Sequence, residues 1–116
     1  MSLGVAKHNF FLVYAPDKPN AQRAKHIAVH MERGRQLWQS GIIKAGGGLL
    51  PQDVKATDEG AAEKLCGGFI IVKAESIEEV WKIIKEDVFY TSGEVWDREK
   101  IIIEPAYIVM PEAKFD

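Results

Sequence analysis

The chain has 116 residues, 47% of them hydrophobic and 28% charged, which is enough for one domain with its own core. The formal net charge is -2 at pH 7, with no basic stripe, so electrostatically driven binding of nucleic acid is not expected. A single cysteine excludes an intrachain disulfide and argues against a cysteine-based zinc site, while no apolar run approaches the roughly 18 residues of a membrane span.

Asn9–Tyr14 is dense in aromatic and branched residues and stops at Pro16, predicting a first strand. Pro19 and Asn20 lead into a helix over Ala21–Ser40, where Ala24, Ile27, Met31, Gly34 and Trp38 recur at helical spacing and Gly41 closes the C-terminus. Ile42–Leu50 reads as a second strand, bent by Gly46, Gly47 and Gly48. The polar stretch Pro51–Lys64 is expected as a surface loop, and Cys66 as a small buried residue ahead of a third strand, Gly68–Ala74. Ser76 is placed as the N-cap of a second helix, with Glu79 at the capping-box position and Val80, Ile83 and Ile84 facing the core. A loop runs through Ser92 and Gly93, and Ile101–Val109 is the last strand, interrupted by Pro105 as an edge strand or bulge permits.

This order, β-α-β-β-α-β, is the ferredoxin-like pattern of an α+β fold. Phe10–Val13, Phe69–Val72 and Ile101–Ile103 are continuous apolar runs, the mark of strands buried on both faces. Two helices cover only one face of a four-stranded sheet, so a second copy packed sheet against sheet is expected: a homodimer.

The chemistry-bearing residues concentrate between Arg23 and Asp53. His30 flanks the apolar stripe of the first helix, with Arg23 two turns earlier on the same face. Histidine titrates near neutral pH, so a helix His reached by Asp53 from beyond the next strand would equip a pocket for acid/base work. The plainer alternatives are a surface His bonded to a carbonyl, a turn-capping Asp53 and an ion-paired Arg23. His26 and His30 stand four apart at metal-ligand spacing, but Ile27 occupies the place of the zincin Glu, so no metal is expected and His26 reads as solvated. Gly46–Gly48 lacks the Gly-Lys-Ser/Thr ending of a phosphate loop and is more consistent with a bulge or with close approach to a ligand. Trp38, Trp81, Trp96 and Tyr90 are expected mostly in core or dimer contacts, and of these Tyr90 and Trp96 fall in a loop that could border the pocket.

With Arg23, His30, Gly41, Gly46–Gly48, Asp53, the stretch Asp87–Gly93 and Trp96-Asp97 in place, the chain resembles the YCII-related family of the dimeric α+β barrel superfamily, over about Asn9–Val109. Where many members carry Gly-Pro at the pocket strand, this chain has Gly47-Gly48. The resemblance implies a barrel-like dimer with a cleft beside each helix and a catalytic His-Asp pair, here His30 and Asp53. It also implies elimination or isomerisation chemistry on oxygenated rings.

The expectation is therefore one YCII-like domain over residues 1–116: a cytoplasmic homodimer, with no membrane or nucleic-acid partner. It would be a cofactor-independent lyase, isomerase or dehalogenase acting on a small cyclic or aromatic substrate. His30 and Asp53 are the expected catalytic residues, and Arg23, Gly47, Tyr90 and Trp96 the expected substrate-binding ones. The alternatives are a non-catalytic small-molecule-binding barrel and a haem-dependent monooxygenase. The haem reading would need His26, His30 or a loop His as ligand, and nothing around them enforces haem binding.

Overall fold

Phe11, Val13 and Ala15 are buried, while Leu12 and Tyr14 between them stay 43% and 42% exposed. That period of two shows a strand with one covered face. The computed structural model describes residues 3–112 together with 114 and 115. In chain order it contains β1 (Phe10–Pro16), α1 (Arg23–Gln39), β2 (Ile43–Leu49), a 3-10 turn (Ala61–Lys64), β3 (Gly67–Lys73), α2 (Ile77–Lys85), α3 (Val88–Thr91) and β4 (Ile102–Ala106). The sheet order is β2-β3-β1-β4 with every neighbouring pair antiparallel. β3 is inserted between β1 and β2, which α1 connects; this is the expected ferredoxin-like topology.

Register assigns the faces. Phe11 lies opposite Val72 and Pro105, and Val13 opposite Ile70 and Ile103, on the face covered by the helices. Val80 and Ile84 of α2 and Phe89 of α3 complete a core with Phe11, Val13, Val72 and Ile103. The other face pairs Leu12 with Ile71 and Tyr14 with Phe69 and Ile102. The continuous apolar runs are thus covered on one side within the chain and open on the other.

Local sequence explains the element ends. Asp87 caps α3, accepting from Phe89 N at 2.8 Å, and Ser76 caps α2, accepting from Glu79 N at 3.2 Å. Glu79 reaches back to Glu75 N at 3.0 Å, one residue before the amide a capping box uses. Gly41, at φ 84°, supplies the left-handed turn after α1. Pro105 is tolerated because β4 is an edge strand.

Three expectations fail on local grounds. The irregularity in β2 falls between Ile43 and Ala45, not at the glycines, which keep regular pairing with Ile70, Phe69 and Gly68. Cys66 is exposed: its backbone bridges Leu49 O and Asp17 N at the sheet end, and its side chain is left outside the core. The stretch expected as loop through Ser92 begins with α3, a single turn too short to show periodicity.

α1, like β2, has no fully buried residue. Polar bonds hold it: Arg23 to Asp17 and to Gly67 O, His26 to Glu94, His30 to Asp87, and Arg33 to Ile83 O. A space opens between the helix and the sheet.

Candidate active site

That space is a cavity of about 490 Å³ between α1 and the sheet. Arg23, Ile27, His30, Gly34 and Trp38 of α1 line it, spaced three or four apart so that all share one side of the helix. The amphipathic stripe read from the sequence thus faces a cavity as well as a core. The glycine strand, Leu65, Ile70, Arg33, Arg35, Asp87 and Trp96 also line it.

His30 is the centre of the polar end. Its Nδ1 lies 2.8 Å from Asp87 Oδ1 and 3.0 Å from Oδ2. An ionised carboxylate only accepts, so Nδ1 carries the proton and Nε2 holds the lone pair of the neutral ring. Nε2 has no hydrogen-bond partner among the described residues. Phe89 stacks on the imidazole, centroids 3.8 Å apart and planes within 4°, and Trp96 meets it edge-on at 5.8 Å. Two aromatic contacts and one carboxylate fix the ring before any ligand enters.

Asp87 is itself pinned. It is 6% exposed, caps α3 through Oδ1, and its Oδ2 lies 3.5 Å from Arg33 Nη1. Arg33 in turn donates from Nη2 to Ile83 O at 2.9 Å. The carboxylate is therefore buried but surrounded by donors, the condition under which a buried charge is tolerated.

Arg23 lines the same end. It donates from Nε to Asp17 Oδ2 at 2.5 Å and from Nη2 to Gly67 O at 2.8 Å, and lies 5.0 Å over the Phe89 ring. Nη1 has no partner among the described residues, so one arm of the guanidinium is available. Asp17 is held by Arg23, yet burial raises its pKa above the usual carboxylate value, outweighing the opposing pull of Arg23 and the weaker one of His30. Its Oδ1 is buried without a hydrogen-bond partner among the described residues, as is the indole nitrogen of Trp96.

Of the residues expected from sequence, His30, Arg23, Gly47 and Trp96 meet at the cavity, and Asp53 and Tyr90 do not. Asp53 stands exposed in the turn after β2, and the carboxylate beside His30 is Asp87, carried there by the α2–α3 junction. Tyr90 lies at the far end of α3, where Arg98 stacks over its ring at 4.8 Å and bonds its carbonyl. Gly47 contributes backbone only, since a Cβ there would point at the Phe69 ring, 3.1 Å away. His26 is not solvated either: its side chain is 15% exposed and bonds Glu94 at 2.9 Å. That bond and one from Lys25 lower the Glu94 pKa. Two site residues were missed, Asp87 and Asp17. Asp87 had a signal, as the acidic head of the motif ending at Gly93; Asp17 had only its place between a strand end and Arg23.

Residues 9–103 match the profile of the YCII-related domain. The chain is 35% identical over 97 residues to fusaric acid biosynthesis protein 2 of Gibberella fujikuroi, covering 82% of this chain and 89% of that one. It is 34% identical, over the same shares, to the protein of that name from Gibberella moniliformis. Among solved structures it resembles the 5-chloro-2-hydroxyhydroquinone dehydrochlorinase TftG of Burkholderia phenoliruptrix, in complex with 2,5-dihydroxybenzoquinone. The TM-score is 0.68 at 29% identity, covering 82% of this chain and 90% of that one.

Proposed function

The chain belongs to the YCII-related family, and from the geometry of its cavity we propose that it is a small cytoplasmic enzyme acting without a bound cofactor. Its substrate would be an oxygenated cyclic or aromatic metabolite, and its reaction an elimination or isomerisation by acid/base chemistry. The observation that carries this reading is the His30–Asp87 pair, 2.8 Å apart, with the imidazole lining the cavity beside Arg23 and Trp96. The dehydrochlorinase with which the chain shares its fold and 29% identity supports it, as does the quinone that enzyme binds.

The steps follow from the groups in place. Nε2 of His30 takes a proton from a ring carbon or hydroxyl. Asp87, bonded to Nδ1–H, holds the ring in that tautomer and stabilises the imidazolium that forms. The electron pair left behind forms a double bond, with either departure of a leaving group or a shift along the ring. The free arm of Arg23 and the indole N–H of Trp96 are suited to the negative charge that develops on a ring oxygen. In an isomerisation His30 returns the proton to another ring atom, and in an elimination it passes the proton to the departing group or to solvent. General acid/base assistance of this kind contributes about 10²–10⁴-fold to rate.

The active unit is proposed to be a homodimer joined through the open sheet face of Leu12, Tyr14, Phe69, Ile71 and Ile102. The test of the whole reading is a mass-spectrometric screen of hydroxylated aromatics and unsaturated lactones, with His30→Ala as control. Conversion by the wild type and its loss in a folded His30→Ala dimer is the expected result. Full turnover in that variant overturns the mechanism, and binding of small phenols with no conversion in any case makes the protein a binding module.

A further inference from the structure

The cavity is longer than its chemistry requires. Its α1 wall runs from Arg23 to Trp38, about 22 Å along the helix axis and several times the width of one ring. The polar groups left without a partner among the described residues gather toward one end. There Trp96, 6% exposed, has an indole N–H without a partner among the described residues, and Arg23 has one free arm. Past His30 the wall includes Gly34, Leu37, Trp38, Ile43 and Leu65, and the two arginines on that stretch are engaged elsewhere, Arg33 with Ile83 O and Asp87 and Arg35 with Glu32 and Gln39.

Glycines keep this second stretch open from both sides, by different means. Gly34 sits in the middle of α1, where glycine is the poorest helix former short of proline. A Cβ there would meet nothing within 4 Å, so no close approach of backbone requires glycine at this position. On the sheet side, a Cβ on Gly48 would lie 2.5 Å from Leu65 Cδ2, and one on Gly46 2.8 Å from Ile70 Cγ2. Leu65 and Ile70 can lie flat on β2 only because those atoms are missing. A side chain at any of the three positions would narrow the channel, directly at Gly34 and by lifting a neighbour at the other two.

We infer that the site takes an amphiphilic substrate: an oxygenated ring at Arg23, His30 and Trp96, bearing an apolar chain that lies between Gly34 and the glycine strand. The inference rests on the cavity being the substrate site of His30, and it makes Gly34 a determinant of chain length. A bare ring would leave the apolar half of the channel unfilled, whereas an alkyl chain removes its own surface and the channel's from water.

The experiment is a binding series with the full chain and 4-alkylresorcinols carrying methyl, ethyl, butyl and hexyl groups, read by calorimetry. Each added methylene should tighten Kd about threefold to fourfold, so ethyl to hexyl gains about a hundredfold. Gly34→Leu should cut the hexyl-to-methyl preference by more than tenfold, and Gly34→Ala by less, with thermal melts verifying that both variants fold. Affinity independent of chain length overturns the inference; a channel filled by a segment of a second copy would give that result. Equal weakening of methyl and hexyl by Gly34→Leu overturns it too, as does no binding of any member at millimolar concentration. The two readings fail separately. A length-dependent Kd without turnover of any ring compound sinks the acid/base function and leaves the channel. Turnover that needs His30 but ignores chain length does the reverse.

Discussion

Replacing Asp87 separates the catalytic use of the His30 pair from its structural use. The carboxylate is 6% exposed and accepts from His30 Nδ1 and from Phe89 N, both at 2.8 Å. Asp87→Ala deletes the cap of α3 and leaves the imidazole N–H and Arg33 facing a void, together a loss of about 2–4 kcal/mol. Asp87→Asn keeps the shape and one accepting oxygen, so the cost should fall to about 1 kcal/mol. The amide cannot stabilise an imidazolium, however, and offers an N–H toward groups that are already donors. Turnover in Asp87→Asn should therefore drop about 10²–10⁴-fold although the protein stays folded. Urea melts give the stability half and the screened substrate gives the rate half. Nitrogen NMR of His30 reports whether Nδ1 still carries the proton. Asp53→Asn, in an exposed turn, should leave all three readouts at wild-type values. Wild-type turnover in Asp87→Asn, or an equal loss in Asp53→Asn, would refute the assignment of the carboxylate.

Light scattering at low micromolar concentration should give about twice the 13.0 kDa chain mass or a multiple of that dimer. Leu12→Glu combined with Ile102→Glu should shift the protein toward monomer, and a well-folded wild-type monomer would exclude the sheet-to-sheet assembly. Asp17 holds its proton to higher pH when folded than when unfolded. Between the unfolded value near 3.8 and the raised folded one the native state binds more protons, so stability falls as pH rises through that window. Chemical melts of wild type minus Asp17→Asn should show that negative slope, and a flat or rising difference would contradict the burial argument. His26→Ala should let Glu94 titrate at a higher pH by carboxyl NMR, since its bond to His26 is the largest cause of its lowered pKa; an unmoved midpoint would deny that bond.

What could be read from the sequence follows from the range over which each signal acts. Four strands and two longer helices declare themselves through runs and periods of several residues, and the caps at Ser76 and Gly41 through the chemistry of single residues. The α1 stripe was equally visible, but a stripe that faces a cavity has the same period as one that faces packed side chains. Ile27 and Trp38 look alike in the sequence, yet Ile27 packs against the core while Trp38 remains 57% exposed at the cavity rim. Gly34 counted in the sequence only as one more small residue of that stripe, and its place in the cavity wall was not marked by its spacing. The choice between Asp53 and Asp87 lay beyond such signals, because the partner of His30 is 57 residues away. It is delivered by a four-residue helix whose sequence traces are its cap and the motif from Asp87 to Gly93. The capping bond and the histidine bond use the same carboxylate, so the turn that closes the fold also sets the tautomer on which the proposed chemistry depends. In this chain the site is assembled by the element least visible in the sequence.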